Sequence, residues 1–182
     1  MSTVVGRTRA RALAAALSTV ALTSLFAAGS PRAHAAVADL TCPGTESVTF
    51  TPGLLLTLQQ VTLHTSRQWG PCVSSDPTVS SGSDSETFVN TISCLSVAAA
   101  GTGTVTFTWS NGRTSTFAFT KSVSHPVGQT VVTYTGNITA GEFAGDSALE
   151  TITGAALNLT ACLAPPGITS TFGVAVLEIT SA

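Results

Sequence analysis

The side chains of this chain that could do chemistry are few and dispersed. Beyond the first 35 residues the histidines are His64 and His125. Either would need a serine nucleophile and an orienting carboxylate to serve as the base of a hydrolase, and no Gly-x-Ser-x-Gly or Gly-Asp-Ser-Gly run supplies that nucleophile. Glycoside hydrolysis asks for two carboxylates facing each other across a cleft. Glu86, Glu150 and Glu178 fall in segments that read as strands and could be aimed rigidly, but a solvent-facing strand position accounts for each equally well. The stretch from Ser74 to Glu86 carries Asp76, Asp84, Glu86 and many hydroxyls, the hard oxygen donors that calcium selects. It lacks the alternating ligands of an EF-hand loop and reads as a solvated connection. No Cys-x-x-Cys spacing occurs, and neither histidine stands at ligand spacing from a cysteine, so zinc is not expected. The sequence therefore offers no catalytic residue, no metal ligand and no cofactor site. Its candidate recognition residues are Trp69 and Arg67, in Arg67-Gln68-Trp69-Gly70 at a strand end, where an exposed indole could stack a sugar or meet another protein. Trp109 is expected in the core or beneath Arg113.

Compartment narrows the function classes. Arg7, Arg9 and Arg11 precede an uncharged apolar run from Ala12 to Ala28, and Ala33-His34-Ala35 offers the small residues that signal peptidase accepts. Residues 1–35 are thus expected to be a signal peptide and residues 36–182 a single secreted domain. There is no Arg-Arg pair, which favours the general secretory route, and Asp39 stands too close before Cys42 for a lipidation site. Of the seven basic residues, Arg67, Arg113 and Lys121 remain in the mature chain; set against all nine carboxylates they leave a net charge of −6. Such a surface cannot neutralise a row of phosphates or anionic headgroups, so neither nucleic acid nor membrane is expected as a partner once the signal is gone. A cell-wall polymer or another secreted protein fits better.

The mature sequence reads as all-β. Thr, Val, Phe, Ile and Leu recur in short runs between Gly, Pro, Ser and Asn clusters, with little helical period. Eight strands are expected: 46–50, 54–66, 86–94, 104–109, 114–123, 130–139, 148–161 and 171–180. Eight strands over this length suggest a two-sheet β-sandwich of antiparallel strands in immunoglobulin-like or jelly-roll order. Leu54, Leu56 and Leu58 share one parity while Val61 and Leu63 take the other, so a bulge or sheet crossing is expected at Gln59-Gln60. At Asn111-Gly112 a two-residue turn would set apolar residues against threonines. A three-residue loop, Ser110-Asn111-Gly112, aligns Val105 with Phe117 and Trp109 with Arg113 and is preferred.

All four cysteines, Cys42, Cys72, Cys94 and Cys162, lie in the mature chain and read as two disulfides of an exported protein. If successive strands run up and down, Cys42 and Cys72 fall at one end and Cys94 and Cys162 at the other, which pairs Cys42 with Cys72 and Cys94 with Cys162.

The segments Gly70-Pro71-Cys72, Ser93-Cys94, Trp109-Ser110-Asn111-Gly112, Gly128-Gln129-Thr130-Val131-Val132, Ala140-Gly141-Glu142-Phe143 and Leu157-Asn158-Leu159-Thr160-Ala161-Cys162 together give the mature chain a resemblance to small secreted actinobacterial β-proteins of unassigned function. That resemblance implies no activity, substrate or site residue. The function expected is a non-catalytic extracellular or envelope-associated binding or structural domain; the alternatives are a carbohydrate-binding module and, behind it, a secreted hydrolase. The secreted form should begin at Ala36, and mass spectrometry of the culture medium checks this; an intact Met1 on a membrane-bound product would refute it.

Overall fold

The computed structural model describes residues 38–181; the expected signal peptide and its cleavage point lie outside the described residues. Nine strands follow one another: β1 (Ala38–Leu54), β2 (Gln59–Trp69), the short β3 (Val73–Ser74), β4 (Gly82–Ile92), β5 (Gly101–Trp109), β6 (Thr114–Ser124), β7 (Gln129–Gly141), β8 (Ser147–Ala155) and β9 (Ile168–Thr180). Every pairing is antiparallel and joins each long strand to the next long strand in sequence; β9 then returns to β1, which also pairs with β2. The result is an eight-stranded closed barrel with β3 attached to the start of β1. This corrects the two-sheet sandwich. Alternation of apolar and polar residues along a strand is the same whether its sheet packs on a second sheet or curls onto itself, and the β9–β1 ladder from Ala38 to Leu54 selects closure.

The inward face is set by parity. Val61, Leu63, Thr65, Arg67 and Trp69 point in from β2, and Val105, Phe107 and Trp109 from β5, while Thr102, Thr104, Thr106 and Thr108 point out. On β5 the outward face is threonine; no helix among the described residues is long and apolar enough to cross a membrane. The parity change after Leu58 is the β1–β2 connection itself rather than a bulge within one strand, because β1 runs through Pro52 and Gly53 and ends at Leu54. The β5–β6 hairpin has the three-residue loop: Val105 faces Phe117, Trp109 N donates to the carbonyl of Arg113 at 2.9 Å, and Gly112 takes φ +81°.

The interior is filled unequally. Around Ala38 and the β5–β6 turn it is densely packed: Trp69, Phe107, Trp109 and Phe117 meet edge-on or tilted with centroids 4.8–5.8 Å apart, and Val79 closes the end from below. Glycine makes room for these rings. A Cβ on Gly44 would stand 2.6 Å from the Trp69 ring and one on Gly82 2.6 Å from Trp109. Trp109 Nε1 donates to Ser115 Oγ at 2.8 Å, and that hydroxyl donates to the carbonyl of Glu142 at 2.6 Å, so the buried indole is satisfied. A smaller cluster of Phe50, Leu54, Val61, Cys94 and Cys162 lies at the opposite end.

One disulfide closes each end. Cys42–Cys72 ties β1 to the chain beyond β2, and Cys94–Cys162 ties the chain beyond β4 to the one-turn 3₁₀ helix Ala161–Leu163. These are the pairs that the up-and-down count places together. Replacing Cys94 and Cys162 with serine should lower stability by about 2–5 kcal/mol, since the bridge closes a long loop of the unfolded chain. Denaturant titration measures the loss, and non-reducing peptide mapping that recovered Cys72 joined to Cys94 would contradict the structure.

Candidate functional site

Above the aromatic floor, Arg67 gathers three carboxylates from three other strands. Its Nε lies 3.1 Å from Glu46 Oε2 on β1 and 3.7 Å from Asp84 Oδ1 on β4, and its Nη1 donates to Glu150 Oε2 on β8 at 3.1 Å. Trp69 Nε1 donates to the other oxygen of Glu150, also at 3.1 Å, and the guanidinium sits over the Tyr134 ring, 5.3 Å from its centroid. The Arg67–Glu46 and Arg67–Asp84 pairs are ionic contacts by distance, without hydrogen-bond alignment, and neither Asp84 oxygen has a hydrogen-bond partner.

Burial governs the titration of this cluster. It raises the Glu150 carboxyl to about 7 and the Asp84 carboxyl to about 6, although Arg67 pulls both the other way, and it raises Glu46 as well. Burial alone would lower Arg67, but the attraction of Glu150 and Asp84 outweighs it and holds the guanidinium more firmly protonated than usual. Tyr134 is raised by burial and Lys121 lowered by it.

Above the cluster the barrel is hollow. A cavity of about 490 Å³ is walled in part by apolar side chains, among them Val48, Phe50, Leu63, Phe88, Phe119 and Val132, and carries the charged groups Glu46, Arg67, Glu86 and Lys121 with Tyr134, Asn90 and several hydroxyls. It opens through the wall. Among the described residues, β4 and β5 pair only at Gly82–Trp109 and Ser83–Thr108. Beyond that point β4 from Asp84 to Ile92 pairs with β2 alone, and β5 from Gly101 to Phe107 with β6 alone. The cleft between them explains why Phe88, which has inward parity, is 43 % exposed.

Several sequence expectations change in this setting. Trp69 and Arg67, expected at an exposed strand end, are 2 % and 4 % exposed; both belong to the floor of the cavity, where Arg67 lines it and Trp69 braces Glu150. The stretch read as a loop from Ser74 to Glu86 ends at Ser81, so Asp84 and Glu86 are inward strand residues rather than loop donors. Asp76 does sit in a turn, where it accepts from the backbone and hydroxyl of Thr78. Of the three glutamates considered for strand-borne catalysis, Glu150 is completely buried, Glu86 lines the cavity and Glu178 faces outward. His64 points outward to Thr87 Oγ1 at 3.1 Å, and His125 is exposed between β6 and β7; neither lines the cavity. Arg113 pairs with Glu142 at 2.7 Å, so Trp109 is a core residue rather than a cation–π partner of Arg113.

The unfolded carboxylates release their protons in the ordinary acidic range, whereas the folded chain holds those of Asp84 and Glu150 to about pH 6 and 7. Between those limits the native state binds more protons than the unfolded one, so stability falls as pH rises through them. The melting temperature should therefore rise as pH is lowered from 8 to 5, and Glu150→Gln should flatten that dependence. A melting temperature that climbs with pH over the same range would contradict it. Arg67→Met, which leaves three carboxylates without their cation, should cost about 3–5 kcal/mol at pH 8.

No protein-family model, curated protein or solved structure matches this chain.

Proposed function

We propose that the mature domain is a secreted, non-catalytic binding protein that holds one small, largely apolar molecule inside the barrel and admits it through the cleft between β4 and β5. The observation that carries this reading is the lined cavity above the Arg67 cluster. Its 490 Å³ falls in the range of small-molecule sites, and apolar walls with a few convergent polar groups are what such sites share. An eight-stranded barrel is about wide enough to be filled by its own side chains or to hold one small ligand. In this chain the lower half is filled and the upper half is not.

Two earlier alternatives lose support. Sugar stacking at the surface called for Trp69 and a second exposed aromatic, and both tryptophans are core residues. A histidine-based hydrolase called for His64 or His125 in the concave site, and the cavity is lined by neither.

N-phenyl-1-naphthylamine, a neutral apolar fluorophore, is the probe that tests the reading. It should brighten and shift to shorter wavelength on titration with the purified mature domain, reaching saturation at one molecule per chain. Val48→Trp, which places an indole in the cavity, should weaken binding by about tenfold or more while the far-ultraviolet spectrum stays that of the barrel. No brightening, or brightening that Val48→Trp leaves unchanged, would rule out the interior as the binding site.

A further inference from the structure

The charges that point into the barrel do not balance. Arg67 and Lys121 face Glu46, Asp84, Glu86 and Glu150, two cations against four carboxylates. Arg67 is already surrounded, with Glu46, Glu150 and Asp84 all within 3.7 Å, so it has little attraction left for an anion. Lys121 has Glu46 as its electrostatic partner. Glu86 differs from all of these. It lines the cavity, its charge acts on the like-charged Asp84, and among the described residues its side chain makes neither an ion pair nor a hydrogen bond.

Glu86 also has a particular neighbour. It stands two residues before Phe88 on β4, so both side chains leave the strand on the inward face, beside the open cleft, and Phe88 is the partly exposed ring. A carboxylate and a partly exposed aromatic ring on the same face of one strand are a pairing that attracts an ammonium group, through charge and through the ring quadrupole.

We infer that the ligand of this barrel is an amphipathic amine, bound with its apolar body in the cavity and its ammonium group at Glu86 and Phe88 beside the β4–β5 cleft. This rests on the binding function proposed above and specifies the chemistry of its ligand.

Displacement of N-phenyl-1-naphthylamine by three compounds that share one chain and differ in one head group provides the test: decylammonium, decanol and decanoate at pH 7.5 and low ionic strength. Decylammonium should displace the probe at concentrations at least about tenfold below those of decanoate, with decanol between them, and added salt should narrow the gap. Glu86→Gln should reduce the ratio of amine to alcohol affinity by several-fold. Lys121→Met, which removes a competing cation, should increase that ratio and gives a second reading if the first variant folds poorly. Equal or tighter binding of decanoate would overturn the inference while leaving the binding function standing, as would a ratio that neither variant moves. Failure of the probe and all three compounds to bind would overturn both.

Discussion

The guanidinium of Arg67 is the interaction on which the interior of this barrel depends. It reaches from β2 to carboxylates on β1, β4 and β8, and Glu150 in turn receives the indole N–H of Trp69, so one group links the two strands that flank β2 with one on the far wall. A buried charge costs several kcal/mol to desolvate and is tolerated only where partners surround it. The chain provides those partners in excess, and the excess appears as carboxyls that burial keeps protonated to higher pH. Such a cluster is a weak source of net stability, but it is a strict geometric constraint: the four strands must hold their register for the charges to meet. It also divides the barrel. Below it, rings and glycines interlock; above it, the walls are apolar and the space between them is open.

The cleft has a physical cause at the far end of β4. Cys94, two residues beyond that strand, is bonded to Cys162, and its backbone N–H donates to the carbonyl of Leu55 at 2.9 Å. Both contacts draw the end of β4 toward the corner between β1 and β2. The turn that follows, closed by bonds from the N–H groups of Ser96 and Val97 to the carbonyl of Ser93, then carries the chain across to β5. With its lower end paired to β5 and its upper end held to the opposite side, β4 diverges from β5 along most of its length. The disulfide therefore shapes the entrance to the cavity as well as restraining the unfolded chain.

Much of this architecture was legible in the sequence, and the failures have specific reasons. All eight barrel strands were visible because turn residues separate runs of alternating character, and the β5–β6 register followed from matching Val105 to Phe117. Barrel closure was not visible, because it is decided by the pairing of the first and last strands, whose residues look alike in a sandwich. The site is partly hidden in the sequence because the expected strand 54–66 stops before Arg67 and Trp69, and the expected strand 86–94 starts after Asp84. Extending β2 from Ser66 to Trp69 keeps Arg67 and Trp69 in phase with the inward Val61, Leu63 and Thr65; starting β4 at Gly82 does the same for Asp84. A signal was present in β8, where Glu150 stands at the inward parity between Ala148 and Ile152. An acid at a core position calls for a buried cation, and Arg67 and Lys121 were the strand-borne candidates.

The two halves of the barrel interior explain each other. An unfilled cavity of this size forgoes the dispersion contacts that a packed core would make, so the fold must draw its stability elsewhere. It does so at the ends: the aromatic floor and Cys42–Cys72 secure one, and the Phe50–Leu54–Val61 cluster with Cys94–Cys162 secures the other. Between them β4 and β5 need not pair, and their backbone groups along the cleft remain open to solvent, which satisfies them without a ladder. Collapse of the walls onto one another would close the cavity, but it would also carry Glu86 and Lys121 out of water and bring more charge against the Arg67 cluster. The charged groups that line the cavity thus hold it open, and the disulfide-bound ends make that openness affordable in a chain of this size.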